Sequence, residues 1–138
     1  MLDFSDVLIL GETWLGEQTT PPTLEKFNVL PNNVGRGKGL VIYYKEDKAI
    51  VENIHTDVNL QMSVAVSDEI EVIGFYRSAE DKSFISVLEN WLQPMKSYLL
   101  IGDMNVCSKT ETDHGIFKTL NEFGFTLITK EPTHIWTH

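Results

Sequence analysis

The chain has 138 residues, 42% hydrophobic and 22% charged, which suits one globular domain with a real core and excludes a disordered or fibrous chain. Eleven Lys and Arg against 20 Asp and Glu leave a formal charge of -9, which repels polyphosphate unless a metal ion or a local basic patch intervenes, and so excludes an arm-like nucleic-acid binder. One cysteine, Cys107, excludes an internal disulfide framework and a thiolate zinc site. No apolar run approaches the ~18 to 20 residues that span a bilayer, and Asp3 and Asp6 stand where a signal peptide has a basic n-region, so an intracellular chain, nuclear or cytoplasmic and without a membrane partner, is expected.

Residues 7–10 form a compact apolar run that suits a strand buried on both faces; it stops at Gly11, so Glu12 falls at a strand end. Between 16 and 33, Thr19, Thr20, Pro21, Pro22, Pro31 and Asn32 predict a long connection with little regular structure. Gly35, Gly37 and Gly39 then lead into LVIYY, a strand at 40–44, and Glu46, Asp47 and Lys48 turn the chain into 49–54, which predicts a hairpin. Strands at 61–66 and 70–75, separated by Ser67, Asp68 and Glu69, make this central region antiparallel.

From Asp81 the period changes, and Phe84, Ile85, Leu88, Trp91, Leu92 and Met95 recur at helical steps, with Pro94 disturbing the last turn. A short strand at 98–101 ends in Gly102 and Asp103, much as Leu10 ends in Gly11 and Glu12. A second helix is expected from Asp113, a good cap residue, through Ile116, Phe117, Leu120 and Phe123 to a stop at Gly124, followed by a strand at 125–129. The pattern predicts a single α+β domain over 1–138: two mostly antiparallel sheets packed face to face, with helices outside.

A hard divalent cation takes oxygen ligands and commonly only one or two carboxylates from the protein, a role Glu12 fits. Asp103 and Asn105, in GDMN, follow a strand and place a carboxylate and an amide side by side, one to orient or deprotonate water and the other to hold a phosphate oxygen. Taken singly, each residue reads first as a solvated strand end or a turn former. GRGKG lacks the spacing of a phosphate loop and precedes a strand, so Arg36 and Lys38 form only a thin basic patch. His55 and His114 have no partner at metal spacing, Cys107 reads as a small buried hydrophobe, and Trp14, Trp91 and Trp136 read first as packing.

In order, DVLILGETWL, GKGLVIYYKED, VIGFYRSAEDKSFISVLENWL, YLLIGDMNV and LNEFGFTLITKEPTHIW resemble the endonuclease/exonuclease/phosphatase superfamily, and within it the apurinic-type endonuclease domains of non-LTR retrotransposons. The resemblance covers the chain from about Asp6 to Trp136, and ETWL, YRS and GDMN are its most specific pieces. It implies a partial four-layered α/β sandwich and a magnesium-dependent (or manganese-dependent) phosphodiesterase acting on DNA. It implies Glu12 as metal ligand, Tyr76 as donor to a phosphate oxygen, with Arg77 beside it as a backbone contact in substrate binding. Asp103 would align and deprotonate the attacking water, and Asn105 would stabilise the phosphate.

Gly11, Met104 and Ala79 depart from the commoner family residues. A first family strand would lie before Met1. A strand carrying an Asp, and a terminal Ser-Asp-His motif, would lie beyond His138, since His134 and His138 belong to a segment the family places earlier. The expectation is therefore an incomplete domain, either an endonuclease or a non-catalytic remnant acting as an interaction module, with a phosphatase of the same fold as a further alternative. Uncovered sheet edges and apolar surface would invite self-association.

Overall fold

Short runs rich in Val, Ile, Leu and Tyr become strands here because β-branched and aromatic side chains fit a pleated surface buried on at least one side. The computed structural model describes residues 7–11, 21–32, 39–45, 50–66, 70–78, 80–103, 111–129 and 134–137, with backbone alone described at 7, 10, 111–114, 129 and 134–136. In chain order the elements are β1 (Val7–Gly11), β2 (Asn28–Asn32), β3 (Leu40–Tyr44), β4 (Ile50–Asp57), β5 (Leu60–Val66), β6 (Glu71–Arg77), α1 (Phe84–Trp91), β7 (Tyr98–Asp103), α2 (Glu111–Glu122), β8 (Thr126–Thr129) and β9 (His134–Thr137).

They form two sheets, one of three strands in the order β1-β3-β2 and one of six in the order β4-β5-β6-β7-β9-β8. Every pairing is antiparallel except that of β6 with β7, which is parallel and joined by α1 as a crossover. The fold is α+β and the two sheets pack as a sandwich, as the sequence pattern predicts.

Four local expectations need correction. The stretch 16–33 contains β2, an edge strand of the small sheet. Pro31 sits within it, opposite Val41, and an edge strand is where a residue lacking an N–H is tolerated. The segments at 40–44 and 49–54 do not make a hairpin: β3 is the central strand of the small sheet, with β1 and β2 on either side, while β4 pairs with β5 in the large one. Both hydrogen-bonding edges of β3 are thus occupied, and the chain crosses between layers. Met95 is not part of the helical stripe, because α1 ends at Trp91 and Met95 lies fully exposed in the following turn with φ 65°. Pro94 explains the stop.

The second helix begins at Glu111, so Asp113 stands inside its first turn and not at its cap. Its end follows the sequence closely. Gly124, at φ 97°, donates to the Asn121 carbonyl and Phe125 donates to the Leu120 carbonyl, both at 3.0 Å, the double closure in which a left-handed glycine lets the chain satisfy the last carbonyls.

Both helices cover one face of the large sheet. Phe84 and Leu88 of α1 and Leu120 of α2 pack with Leu60, Met62, Val64, Ile73, Phe75, Tyr98, Leu100 and Phe125, all essentially fully buried. The Phe75 and Phe84 rings meet at 5.0 Å in a tilted arrangement. The other face of the large sheet meets the small one, so among the described residues the layers run helices, six-stranded sheet, three-stranded sheet. At the two edges of the large sheet, Ile50 on β4 and Ile128 on β8 are exposed. No described helix is long and apolar enough to cross a membrane.

Candidate functional site

Side chains alternate along a strand, so neighbours in sequence face opposite layers. On β6, Ile73 and Phe75 belong to the helix-side core, whereas a Cβ at Gly74 would lie 2.9 Å from Cγ2 of Ile9 on β1. The even-numbered positions of β6 therefore face the small sheet. Tyr76 follows this alternation and points into the space between the sheets.

Tyr76 is also the register partner of Asp103, the last residue of β7. Partners in adjacent strands share a face, so the phenol and the carboxylate stand side by side at the carboxyl ends of two parallel strands. Carboxyl ends of parallel strands are where α/β folds collect functional groups, because the connecting loops there are free of the sheet. Tyr76 is 5% exposed and Asp103 is half-buried. A carboxylate in that position keeps access to water while being held by the strand.

The small sheet reaches the same rim. Gln61 on β5 is the cross-strand partner of Tyr76 and is fully buried. Its Oε1 accepts the backbone N–H of Gly39 at 3.0 Å, and its Nε2 donates to the Asp57 carbonyl. Gly39, at φ 109°, immediately precedes Leu40, the partner of Gly11 at the end of β1. A continuous chain of contacts thus runs from Gly11 through Leu40, Gly39 and Gln61 to Tyr76 and Asp103. Glu12, bonded to Gly11, lies outside the described residues, as does Asn105, two residues beyond Asp103.

Arg77, one residue after Tyr76, faces the opposite way, as the alternation requires. Only 6% exposed, its Nε donates to Asp81 Oδ2 at 3.2 Å and its Nη2 to the Asp81 carbonyl at 2.8 Å. Asp81 in turn accepts the backbone N–H groups of Ser83 at 3.1 Å and Phe84 at 3.0 Å, so it satisfies orphan donors at the start of α1. Ser78 is tied to the β4–β5 turn: its N–H donates to the Asn59 carbonyl at 2.9 Å and its hydroxyl to Asn59 Oδ1 at 2.8 Å.

Farther along the gap between the sheets, Asn32 of β2 donates from Nδ2 to the His55 carbonyl at 2.9 Å and to Ser63 Oγ at 3.1 Å. Ser63 donates to Asn53 Oδ1 at 2.6 Å. Asn32 Oδ1 is buried with no hydrogen-bond partner. Sequence reading passed over Gln61, Ser63 and Asp81. The signal was present in LQMSVAV, where polar residues at alternate positions of an apolar strand mark a face that meets polar partners and not plain core.

Among the described residues no group of three or more His, Cys, Asp or Glu gathers. A hard cation needs no such cage, since one or two carboxylates with water and substrate oxygens suffice. Asp103, a partly exposed carboxylate at the rim beside Tyr76, supplies the right donor chemistry for one.

No protein-family model matches the chain, and no curated protein matches it. Among solved structures, the endonuclease domain of TRAS1, a telomere-specific non-LTR retrotransposon, is similar with a TM-score of 0.59 at 15% identity, over 93% of this chain and 64% of that one. At that identity the likeness is one of fold: the described sheets and helices are arranged as in an endonuclease domain. This chain spans 64% of the length of that relative.

Proposed function

We propose that the chain is an endonuclease-type phosphodiesterase, dependent on magnesium or manganese, that hydrolyses phosphodiester bonds of DNA. The observation that carries this reading is the pairing of Tyr76 with Asp103 at the carboxyl ends of β6 and β7, on the face that meets the small sheet. The fold likeness to a retrotransposon endonuclease domain supports the same reading.

In-line displacement at phosphorus depends on positioning and electrostatics more than on covalent chemistry. Asp103 holds the attacking water and accepts its proton. Tyr76 donates its phenolic O–H to a non-bridging phosphate oxygen, and Asn105 donates its amide to the same group as charge builds on it. Glu12 would hold the cation, which when bound neutralises phosphate charge and lowers the repulsion from a protein of net charge -9.

The test is nicking of supercoiled plasmid DNA in magnesium by the parent chain and by Asp103→Ala, with circular dichroism confirming that both fold. Nicking by the parent and its loss in the variant support the reading; equal nicking removes Asp103 from the mechanism. A phosphomonoester substrate is the second reading, favoured by the strongly negative charge. Release of phosphate from a small aryl phosphate without DNA cleavage would select it.

A further inference from the structure

We infer that Arg77 is a positioning residue, paired with Asp81, and that together with Ser78 it fixes the end of β6 where that strand presents Tyr76. The inference rests on the reading of Tyr76 as a phosphate contact. Arg77 and Tyr76 are consecutive in one strand, so their side chains emerge on opposite faces of the sheet, and only Tyr76 shares a face with Asp103. The Arg77 guanidinium is nearly sealed from solvent, with 7% of its side chain exposed against 2% for Asp81. It engages both the carboxylate and the main-chain carbonyl of Asp81. Arg77 and Asp103 thus emerge on opposite faces of the sheet.

The two residues after Tyr76 therefore hold the strand end from both sides. Arg77 ties it to the start of α1, because the same Asp81 carboxylate receives the Ser83 and Phe84 N–H groups. Ser78 ties it to the β4–β5 turn through Asn59. This gives the YRS segment a division of labour: the tyrosine faces the substrate, and the arginine and serine face the scaffold. A residue at a strand end tied to the helix start and to the neighbouring turn loses little backbone freedom on binding, which is what orientation-dependent catalysis requires.

The experiment uses the full chain and three variants. Arg77→Met combined with Asp81→Asn removes the ion pair while leaving an acceptor for the helix start, and avoids an unpaired buried charge. Arg77→Met alone and Arg77→Lys complete the set. In the double variant, amide exchange at Ser78 is expected to accelerate tenfold or more while that of Val64 is unchanged, and Tyr76→Phe is expected to cost less nicking activity there than in the parent. The salt dependence of DNA binding is expected to keep its slope in Arg77→Met, whereas loss of a direct phosphate contact would lower it by about 1. A lowered slope, or full retention of activity by Arg77→Lys, would show that charge at the phosphate is what matters and overturn the inference. Should the double variant fail to fold, the slope and the lysine variant still decide. A parent chain that neither binds nor cuts DNA would refute the phosphodiesterase reading, and unchanged exchange at Ser78 in the double variant would separately refute the fixing of the strand end by Arg77.

Discussion

Tyr76 and Asp103 are register partners across the parallel strands β6 and β7, and both face the small sheet. The pairing places a phenol donor and a carboxylate acceptor on one surface without involving a loop, so the two are held as rigidly as the sheet itself. Their contributions should separate in kinetics. Asp103→Asn removes the proton acceptor and is expected to lower the rate of nicking by about 10² to 10⁴. Tyr76→Phe removes one hydrogen bond to a charged group, worth about 1.5 to 3 kcal/mol, hence roughly ten- to a hundredfold. Single-turnover cleavage rates measure both, and a larger loss for Tyr76→Phe than for Asp103→Asn contradicts these roles.

Gly102, directly before Asp103, has a steric task. A Cβ there would sit 2.1 Å from the Phe75 carbonyl oxygen and 2.7 Å from the Phe75 ring, and neither a paired backbone nor a fully buried ring can retreat. At Gly74 the obstacle is only the Ile9 side chain, 2.9 Å away. Gly102→Ala is therefore expected to reach or exceed the top of the ~1 to 3 kcal/mol range of overpacking, and Gly74→Ala to fall within it. Urea unfolding of the two variants checks the order.

Gln61 spans the two sheets at the rim. Gln61→Leu keeps much of the volume but strands the Gly39 N–H, which is expected to cost about 1 to 3 kcal/mol. Because Gly39 adjoins the partner of Gly11, the same change is expected to raise the metal concentration needed for half-maximal nicking. Denaturant melts and metal titration measure the two effects. A stability loss with no change in metal requirement would mean that Gln61 supports the fold and not the site.

Much of this architecture is legible in the residues themselves. The runs that become β1, β3, β5, β6 and β7 stand out as apolar and β-branched, and Gly124 announces the end of α2. Sheet membership does not, since periodicity describes one strand's faces and says nothing about which neighbour it joins; β3 and β4 are close in sequence and lie in different layers for that reason. β2 was hidden by Pro31, whose missing N–H matters only if the strand is internal. The opposite fates of Tyr76 and Arg77 were implicit in their adjacency, yet became readable only once Gly74 and Ile9 showed which side of β6 faces the small sheet. Asp103 at a strand end was plain, whereas its partnership with Tyr76 depends on a parallel register that no local pattern encodes.

Lys96 and Glu71 fasten the turn after α1 to the start of β6. Lys96 Nζ donates to Glu71 Oε1 at 3.0 Å, and Trp91 Nε1 donates to Oε2 at 2.9 Å. The hydrogen bond to Glu71, then its negative charge, raises the Lys96 pKa above 10.5. A raised pKa means that the lysine's stabilising contribution is complete below 10.5 and is lost as pH climbs through the higher folded-state value. With the lysine side chain 46% exposed, the effect is small. Thermal melts should show the parent losing slightly more stability than Lys96→Gln as pH rises past 10.5, and parallel curves would contradict the assignment.

In the proposed function one cation, held by Glu12, lies at the ends of β1, β6 and β7. Manganese bound there would broaden nearby amide resonances of the labelled full chain through its unpaired electrons. Gly11, Tyr76 and Asp103 are expected to broaden together at low metal, Glu12→Gln to abolish the effect, and magnesium to reverse it. Broadening centred elsewhere, for instance around Glu71, or affecting Asp103 without Gly11, would rule out a shared cation at this rim.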